Sequence, residues 1–299
     1  YTYLKRPKKS EQEQALKELL ELYAHRTDFI GKFARKIVEQ LNEHQSVKRY
    51  FNLSNIQESK VIMTALCALA EQEQERIKRK FSVLVFKDSK RFEKIEGKVV
   101  SIIREFSGET FSEEDDILSE FNVITNPSYV YLKGKGKFQC DKEIIDLAKL
   151  GIEFALNATG IERLTVLELP ITRVLTIENL TTFYEYKPKD ELVIYLGGYH
   201  NRMRRTLLKK IYDYEPQLSF YHWGDIDLGG FQILNHLRKK TKIPFKAYLM
   251  DLDTLKQYEE DALMIKNKSY LKKLEKLLED EDFLEFKDVI QYMNEERIK

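Results

Sequence analysis

The sequence predicts an α+β chain. A helical region with a winged-helix-like element occupies residues 1–165, and an α/β domain with a mainly parallel sheet and C-terminal helices occupies 166–299. Three observations predict this. Apolar residues recur at spacings of three and four through the first hundred positions, the mark of amphipathic helices. A short aromatic run meets a Gly/Lys-rich stretch at 129–138, the mark of a hairpin. Beyond about residue 165, short apolar runs alternate with amphipathic helices, the grammar of β–loop–α units.

In chain order, Leu16, Leu19, Leu20, Tyr23, Phe29, Ile30, Phe33, Ile37 and Leu41 predict helix over 10–45, with Gly31 as a candidate interruption. Ile56, Val61, Ile62, Leu66 and Leu69 predict a second helix over 55–80. Residues 81–86 read as β, 91–106 as helix and the acidic 107–120 as loop. Tyr129-Val130-Tyr131-Leu132, then Lys133-Gly134-Lys135-Gly136-Lys137 and Phe138, predict a hairpin with a basic tip. Strands follow at 173–177, 192–196, 218–223 and 245–250, with helices at 203–214 and 231–240. Right-handed crossovers would bring all four strand-end loops to the carboxyl edge of one sheet. Residues 254–299 are charged and helical.

Composition excludes several classes. With 42% hydrophobic and 33% charged residues, the chain can fill cores and is not compositionally disordered. No run of about 18 apolar residues marks a membrane helix. Cys67 and Cys140 stand too far apart for a C-x-x-C pair. The start has neither Met nor a signal-peptide core, which predicts a cytoplasmic chain, or the larger part of one, lacking residues before Tyr1.

A net charge of +1 conceals blocks of alternating sign: +7 over residues 1–100, −7 over 101–200, +6 over 201–250 and −5 over 251–299. Such a pattern suits a polyanion gripped by basic surfaces and processed at an acidic site. Five of the twelve glycines, at 197, 198, 224, 229 and 230, cluster where the strand-end loops fall. Glu178 ends one strand, and Asp225 and Asp227 follow another. In an extended segment i and i+2 point the same way, so the two aspartates can face one site with Glu178. Three carboxylates are the hard-oxygen set that Mg²⁺ or Mn²⁺ prefers, as one or two ions. An Asp-x-Asp is also a common helix N-cap, and that reading stands beside the first.

Ile177-Glu178-Asn179, Leu196-Gly197-Gly198 and Trp223-Gly224-Asp225-Ile226-Asp227-x-x-Gly230-Phe231 resemble the Toprim fold, in the version found in the JetD family of Wadjet anti-plasmid defence systems. Phe86-Lys87-Asp88-Ser89-Lys90-Arg91, Val130-Tyr131-Leu132-Lys133-Gly134 and Met250-Asp251-x-x-Thr254-Leu255 extend the likeness over about residues 80–260. The resemblance implies a winged-helix (CAP-like) domain before Toprim, as in the topoisomerase VI A subunit. It also implies an N-terminal arm, absent or shortened here. The implied activity is that of a homodimeric, metal-dependent endonuclease, which cuts double-stranded plasmid DNA together with a condensin-like SMC complex. By that likeness Glu178, Asp225 and Asp227 are catalytic and hold the metal, Glu178 alternatively being the general acid/base. Asp251 is a further ligand candidate, and Asp253 matches the pattern less well. No segment resembles the tyrosine motif of topoisomerase VI, though Tyr23 and Tyr50 leave a tyrosine transesterase open. A catalytically silent DNA-binding or scaffold subunit is the non-enzymatic alternative.

The DNA-gripping candidates are Lys90 and Arg91, Lys133, Lys135 and Lys137 at the hairpin tip, and Arg202, Arg204 and Arg205 at the helix after Gly197-Gly198. His200 and His222 flank the acidic loops, either to touch a phosphate, to order a carboxylate, or as structural residues. Trp223 and Phe231 are expected in the core.

Overall fold

The computed structural model describes residues 8–108, 114–126, 129–198 and 200–299. The chain divides into two compact units, Tyr1–Pro127 and Ser128–Lys299. The predicted division at 165/166 falls inside the second unit, because Val130–Gly134 is a strand of that unit's main sheet.

The first unit is helical. Its elements are α1 (Lys9–Glu21), α2 (Phe29–Asn42), α3 (Ile56–Ala70), β1 (Arg76–Ile77), α4 (Lys78–Phe86), α5 (Glu96–Phe106), α6 (Glu114–Glu120) and β2 (Val123–Ile124). The expected helix over 10–45 is two helices. The break precedes Asp28, whose Oδ1 accepts from Ile30 N and Gly31 N and so caps α2. Gly31 does not interrupt α2: a Cβ there would lie 1.9 Å from the Arg26 carbonyl oxygen, so the residue permits a close approach of backbone. Residues 81–86, expected as β, lie in α4. The apolar run misled because Val83 and Leu84 are exposed while Phe81 and Ser82 face the core. The Ser82 hydroxyl, hydrogen-bonded to Asp88 O and Phe92 N, secures the turn after the helix. Of the loop expected at 107–120, residues 109–113 lie outside the described residues and 114–120 form α6. The helix expected over 91–106 begins at Glu96. Phe33 lies at the centre of the core, with ring contacts to Tyr50, Phe51 and Phe106.

The second unit comprises β3 (Val130–Gly134), β4 (Lys137–Cys140), β5 (Glu143–Asp146), α7 (Leu147–Leu150), β6 (Phe154–Leu156), α8 (Ala158–Arg163), β7 (Leu164–Glu168), β8 (Arg173–Ile177), α9 (Leu180–Glu185), β9 (Glu191–Tyr195), α10 (Arg202–Tyr214), β10 (Ser219–Trp223), α11 (Leu228–Thr241), β11 (Lys246–Ala247), α12 (Leu252–Gln257), α13 (Lys268–Leu277) and α14 (Lys287–Glu296). Its main sheet has the order β11-β10-β8-β9-β3-β6, with β11, β10, β8 and β9 parallel and β3 antiparallel to both neighbours. Alternation sends Val174, Leu192, Ile194 and Phe220 into one core with Leu207 and Leu208 of α10 and Leu234 and Leu237 of α11. Leu175, Ile177 and Val193 face the other way, against Phe183 of α9 and a set of half-buried tyrosines. The strand expected over 245–250 shrinks to the two residues of β11.

The hairpin expected at 129–138 does not form. The chain leaves the main sheet at Gly134 (φ +101), where a Cβ would meet the Glu191 carbonyl oxygen at 2.2 Å. It then enters a separate antiparallel sheet, β5-β4-β7. The hairpin lies one strand later, between β4 and β5, turning at Asp141 in the left-handed region. Among the described residues, no helix is long and apolar enough to cross a membrane.

Phe33→Ala is expected to destabilise the first unit by about 3–5 kcal/mol, the usual cost of truncating a fully buried aromatic. Denaturant melts followed by circular dichroism measure it, and a loss below 1 kcal/mol would contradict the placement of Phe33 at the centre of this core.

Candidate active site

Parallel strands β8, β9, β10 and β11 deliver their following loops to one sheet edge. Each loop ends on an Asn or Asp that caps the next helix: Asn179 accepts from Thr182 N, Asn201 from Arg204 N, Asp227 from Gly230 N and Asp251 from Thr254 N. The register Ile177↔Trp223 sets Glu178 level with Gly224. Glu178 N donates to Trp223 O at 2.9 Å and Leu196 N to Ile177 O at 2.8 Å, so adjacent strand ends are joined where the loops begin.

Three of the sequence-predicted acids meet here. Glu178 Oε2 accepts from Asp225 N at 3.4 Å. Burial, then the negative charges of Asp225 and Asp227, push the Glu178 carboxyl up to about 7. Asp225 is also raised, by burial and then by Asp227, with Lys299 opposing. Asp227 has both oxygens engaged: Oδ1 with Gly230 N at 2.9 Å and Oδ2 with the Lys299 ammonium at 3.1 Å. Asp251 is exposed and its Oδ1 is taken by the α12 cap, while Asp253 lies in the first turn of α12.

Two glycines make the arrangement possible. A Cβ at Gly230 would lie 2.1 Å from the Asp225 carbonyl oxygen. A Cβ at Gly224 would lie 2.8 Å from Glu178 Oε2 and 3.0 Å from His222 Nε2. His222 is fully buried. The Thr176 hydroxyl donates to Tyr221 O and therefore accepts from His222 Nδ1, at 2.9 Å, which leaves Nε2 as a lone pair with no partner. Burial holds this imidazole neutral, with its pKa lowered to about 3. His200 is buried with Nε2 3.3 Å from His236 Nδ1, and burial lowers its pKa well below the usual imidazole value. It packs with a helix histidine.

Among the described residues, no three acid, histidine or cysteine side chains are grouped closely enough to hold a metal ion as they stand. The donor chemistry still suits a hard divalent cation. The charges of Asp225 and Asp227 act on Glu178 and that of Asp227 acts on Asp225, so a cation among the three carboxylates would relieve the repulsion.

Residues 138–299 match the family described as "Wadjet protein JetD, C-terminal". A Wadjet protein JetD of Bacillus cereus (strain Q1) is 28% identical over 296 residues, which cover 97% of this chain and 72% of that protein. The chain belongs to the JetD family.

In this JetD-family chain the predicted basic residues separate by surroundings. Lys133 is buried, its ammonium donating to Tyr184 O and lying over the Phe183 ring, and burial lowers its pKa. Lys135 pairs with Asp190 and Lys137 with Glu168, so the expected basic tip is three lysines with local partners. Arg205 is buried and donates to His200 O, and Arg204 packs half-buried beside Gly197. Arg202 is exposed on the first turn of α10. Lys90 is exposed and Arg91 half-buried, both in the first unit. Phe231 is core, stacked on Phe286 at 4.4 Å, and Trp223 is half-buried with its ring edge-on to Tyr186 and Tyr248. Tyr50 is buried, donates to Glu105 and is pushed up to about 12, chiefly by burial, while Tyr23 is half-buried and raised for the same reason.

Sequence reasoning missed Lys299 and Tyr270, and named Met250 only within the Met250-Asp251-x-x-Thr254-Leu255 likeness. Tyr270 Oη accepts from Leu228 N, and Gly224 N approaches Met250 Sδ at 3.3 Å. No local motif marks Lys299 or Tyr270, because each reaches the site from an element remote in sequence.

The raised Glu178 has a thermodynamic consequence. Between about pH 4.5 and 7 the folded chain keeps a proton that the unfolded chain has released, so stability falls as pH rises through that window. The full loss is on the order of 3 kcal/mol. Urea midpoints at pH 5 and pH 8 in EDTA should show it, and Glu178→Gln should flatten the difference. An unchanged pH dependence in the variant would place its origin elsewhere.

Proposed function

We propose that this chain is a metal-dependent DNA endonuclease, hydrolysing phosphodiester bonds of plasmid DNA as the nuclease subunit of a Wadjet-type defence complex. The observation that carries the reading is the convergence of Glu178, Asp225 and Asp227 at one sheet edge, where Glu178 and Asp225 are destabilised as free carboxylates. Family membership supports the Wadjet context. A Toprim catalytic domain, a winged-helix DNA-binding region, a homodimer and condensin-like SMC partners belong to the same proposal.

Mg²⁺ or Mn²⁺, when bound, would polarise the phosphodiester and lower the pKa of attacking water. Glu178 and Asp225 would hold the ion. Asp227 orients the start of α11 through its cap and so presents the Gly229-Gly230 turn. With a pKa of about 7, Glu178 can also keep or release a proton near neutrality, which leaves a general acid/base role within its reach. Arg202, exposed on α10 after the Gly197-Gly198 loop, is the best placed of the three arginines to meet a phosphate oxygen. Lys90 and Arg91 would add contacts that give affinity without base reading.

A catalytically silent DNA-binding subunit is the second reading, favoured by the Lys299–Asp227 ion pair, which engages one of the three acids. Tyr23 and Tyr50 give a transesterase little support, since both phenols are raised by burial and sit in the first unit's core.

Incubation with supercoiled plasmid and Mn²⁺, with and without the other Wadjet subunits, tests the nuclease. Nicks or linear product free of attached protein are expected after denaturation. Asp225→Asn and Glu178→Gln, which preserve shape and leave the α11 cap intact, should each reduce the rate at least 100-fold. Wild-type rates in both variants would refute the site, and a protein–DNA adduct would replace hydrolysis with transesterification.

A further inference from the structure

At the opposite end of β9 from the carboxylates, the second unit holds a cavity of about 370 Å³, within the size range of small-molecule sites. Its place follows from the strand directions. β3 runs antiparallel to β9, so the chain leaves β3 at Gly134 where β9 begins, and Lys135 N donates to Glu191 O at 3.0 Å. The exit of β3, the turn between α9 and β9, and α7 with the residues after it make the walls. The five residues of β9 separate this cavity from the carboxylate edge by roughly 16 Å.

The lining is charged unevenly. It carries four lysines, at 133, 135, 187 and 189, against one carboxylate, Glu153. Lys135 is paired with Asp190, while Lys187 and Lys189 are exposed on the turn. Lys133 lies inside, its side chain only 8% exposed. Alternation along β3 aims it, with Tyr131, at α9, where its ammonium is 4.6 Å from the centre of the Phe183 ring. It donates to Tyr184 O at 3.2 Å. The helical donor to that carbonyl would come four residues on, from Pro188, which has no N–H. An ammonium has three donors, and Glu153 at 3.9 Å is beyond hydrogen-bond reach. Capping α9 therefore leaves donor capacity unspent. Burial lowers the Lys133 pKa, against Glu153, and the like charge of Lys187 adds to the lowering. An anion in the cavity would offset both.

Leu147, Ile152, Tyr184 and Tyr186 add an apolar and aromatic wall, with Ile152 64% exposed. Tyr186 is fixed in place, its Oη donating to Glu191 at 2.7 Å and accepting from Arg173 at 3.1 Å. A flat ring can lie against such side chains while a phosphoryl group meets the ammonium groups. A duplex backbone is a poorer match, because solvent-facing lysines suffice for it, whereas the best-protected charge here lies in a recess. We propose that this cavity binds a nucleoside phosphate, with Lys133, Lys187 and Lys189 on the phosphoryl oxygens and the tyrosine–isoleucine wall against the base. The site is separate from the carboxylate edge and does not rest on the nuclease reading.

Titration calorimetry of the full chain with ADP, GDP, CDP and UDP tests this, in EDTA so that metal-bridged binding at the carboxylates does not contribute. At least one diphosphate should bind, and pyrophosphate or the bare nucleoside should each bind about 10-fold more weakly or worse. Lys187→Ala with Lys189→Ala should weaken that diphosphate by about 10-fold, and Lys133→Gln by at least as much. Lys272→Ala with Lys273→Ala, an equal loss of charge on exposed positions of α13, should leave it unchanged. The Lys187/Lys189 variant decides the matter even if Lys133→Gln fails to fold. Binding of none of the four diphosphates, or binding unaltered by the Lys187/Lys189 variant, would overturn the proposal. Pyrophosphate as tight as the diphosphate would overturn the nucleoside assignment. Displacement of the diphosphate by a blunt duplex without terminal phosphates would assign the cavity to the DNA backbone instead.

Discussion

The pairing of β8 with β10 in the register Ile177↔Trp223 is the constraint on which the site depends. Parallel strands end at the same level, so the residue after each strand emerges beside its neighbour's loop. Glu178 is held there by its own backbone bond to Trp223 O, and Asp225 N returns to the Glu178 carboxylate. A slip of one residue would send Glu178 to the opposite face of the sheet and dissolve the group. The close approach of Gly230 to the Asp225 carbonyl then keeps the Asp-x-Asp loop tight against the start of α11.

This arrangement concentrates negative charge that folding must offset. Burial raises both Glu178 and Asp225, with the charges of Asp225 and Asp227 adding to the first and that of Asp227 to the second. Asp227 pairs with Lys299 and accepts from an α11 backbone amide near the positive end of the helix dipole. Asp225 and Asp227, two positions apart in sequence, thus have different partners. What separates them is the partner that the tertiary fold brings: Lys299, from beyond α14, pairs with the Asp227 carboxylate, while Asp225 N donates to the Glu178 carboxylate.

The same logic sorts the basic residues. Lys133, Lys135 and Lys137 alternate with glycine like a flexible basic loop. Yet the chain passes between two sheets at this point, which buries the first and pairs the others with Asp190 and Glu168. Arg205 and Arg204 turn inward from α10 because their positions fall on its buried side, whereas Arg202 is exposed. Unpaired positive charge is therefore sparser than the charge count of the segment suggests.

Local chemistry by itself determined the strands at 173–177, 192–196 and 218–223 to within a residue or so, the helices α10 and α11, and the convergence of Glu178, Asp225 and Asp227, because apolar runs, Asx caps and clustered glycines are short-range signals. The motif residues also made the JetD family recognisable, and the family match over residues 138–299 agrees. Tertiary structure decided the rest. The α-helical state of 81–86 depends on which side chains meet a core, the partner of β3 on a strand sixty residues away, and the second unit's boundary on that same pairing. The Lys299 contact depends on a 72-residue separation closed by the packing of α13 and α14. No local pattern encodes such contacts, since their free energy comes from surfaces that exist only once the chain has folded.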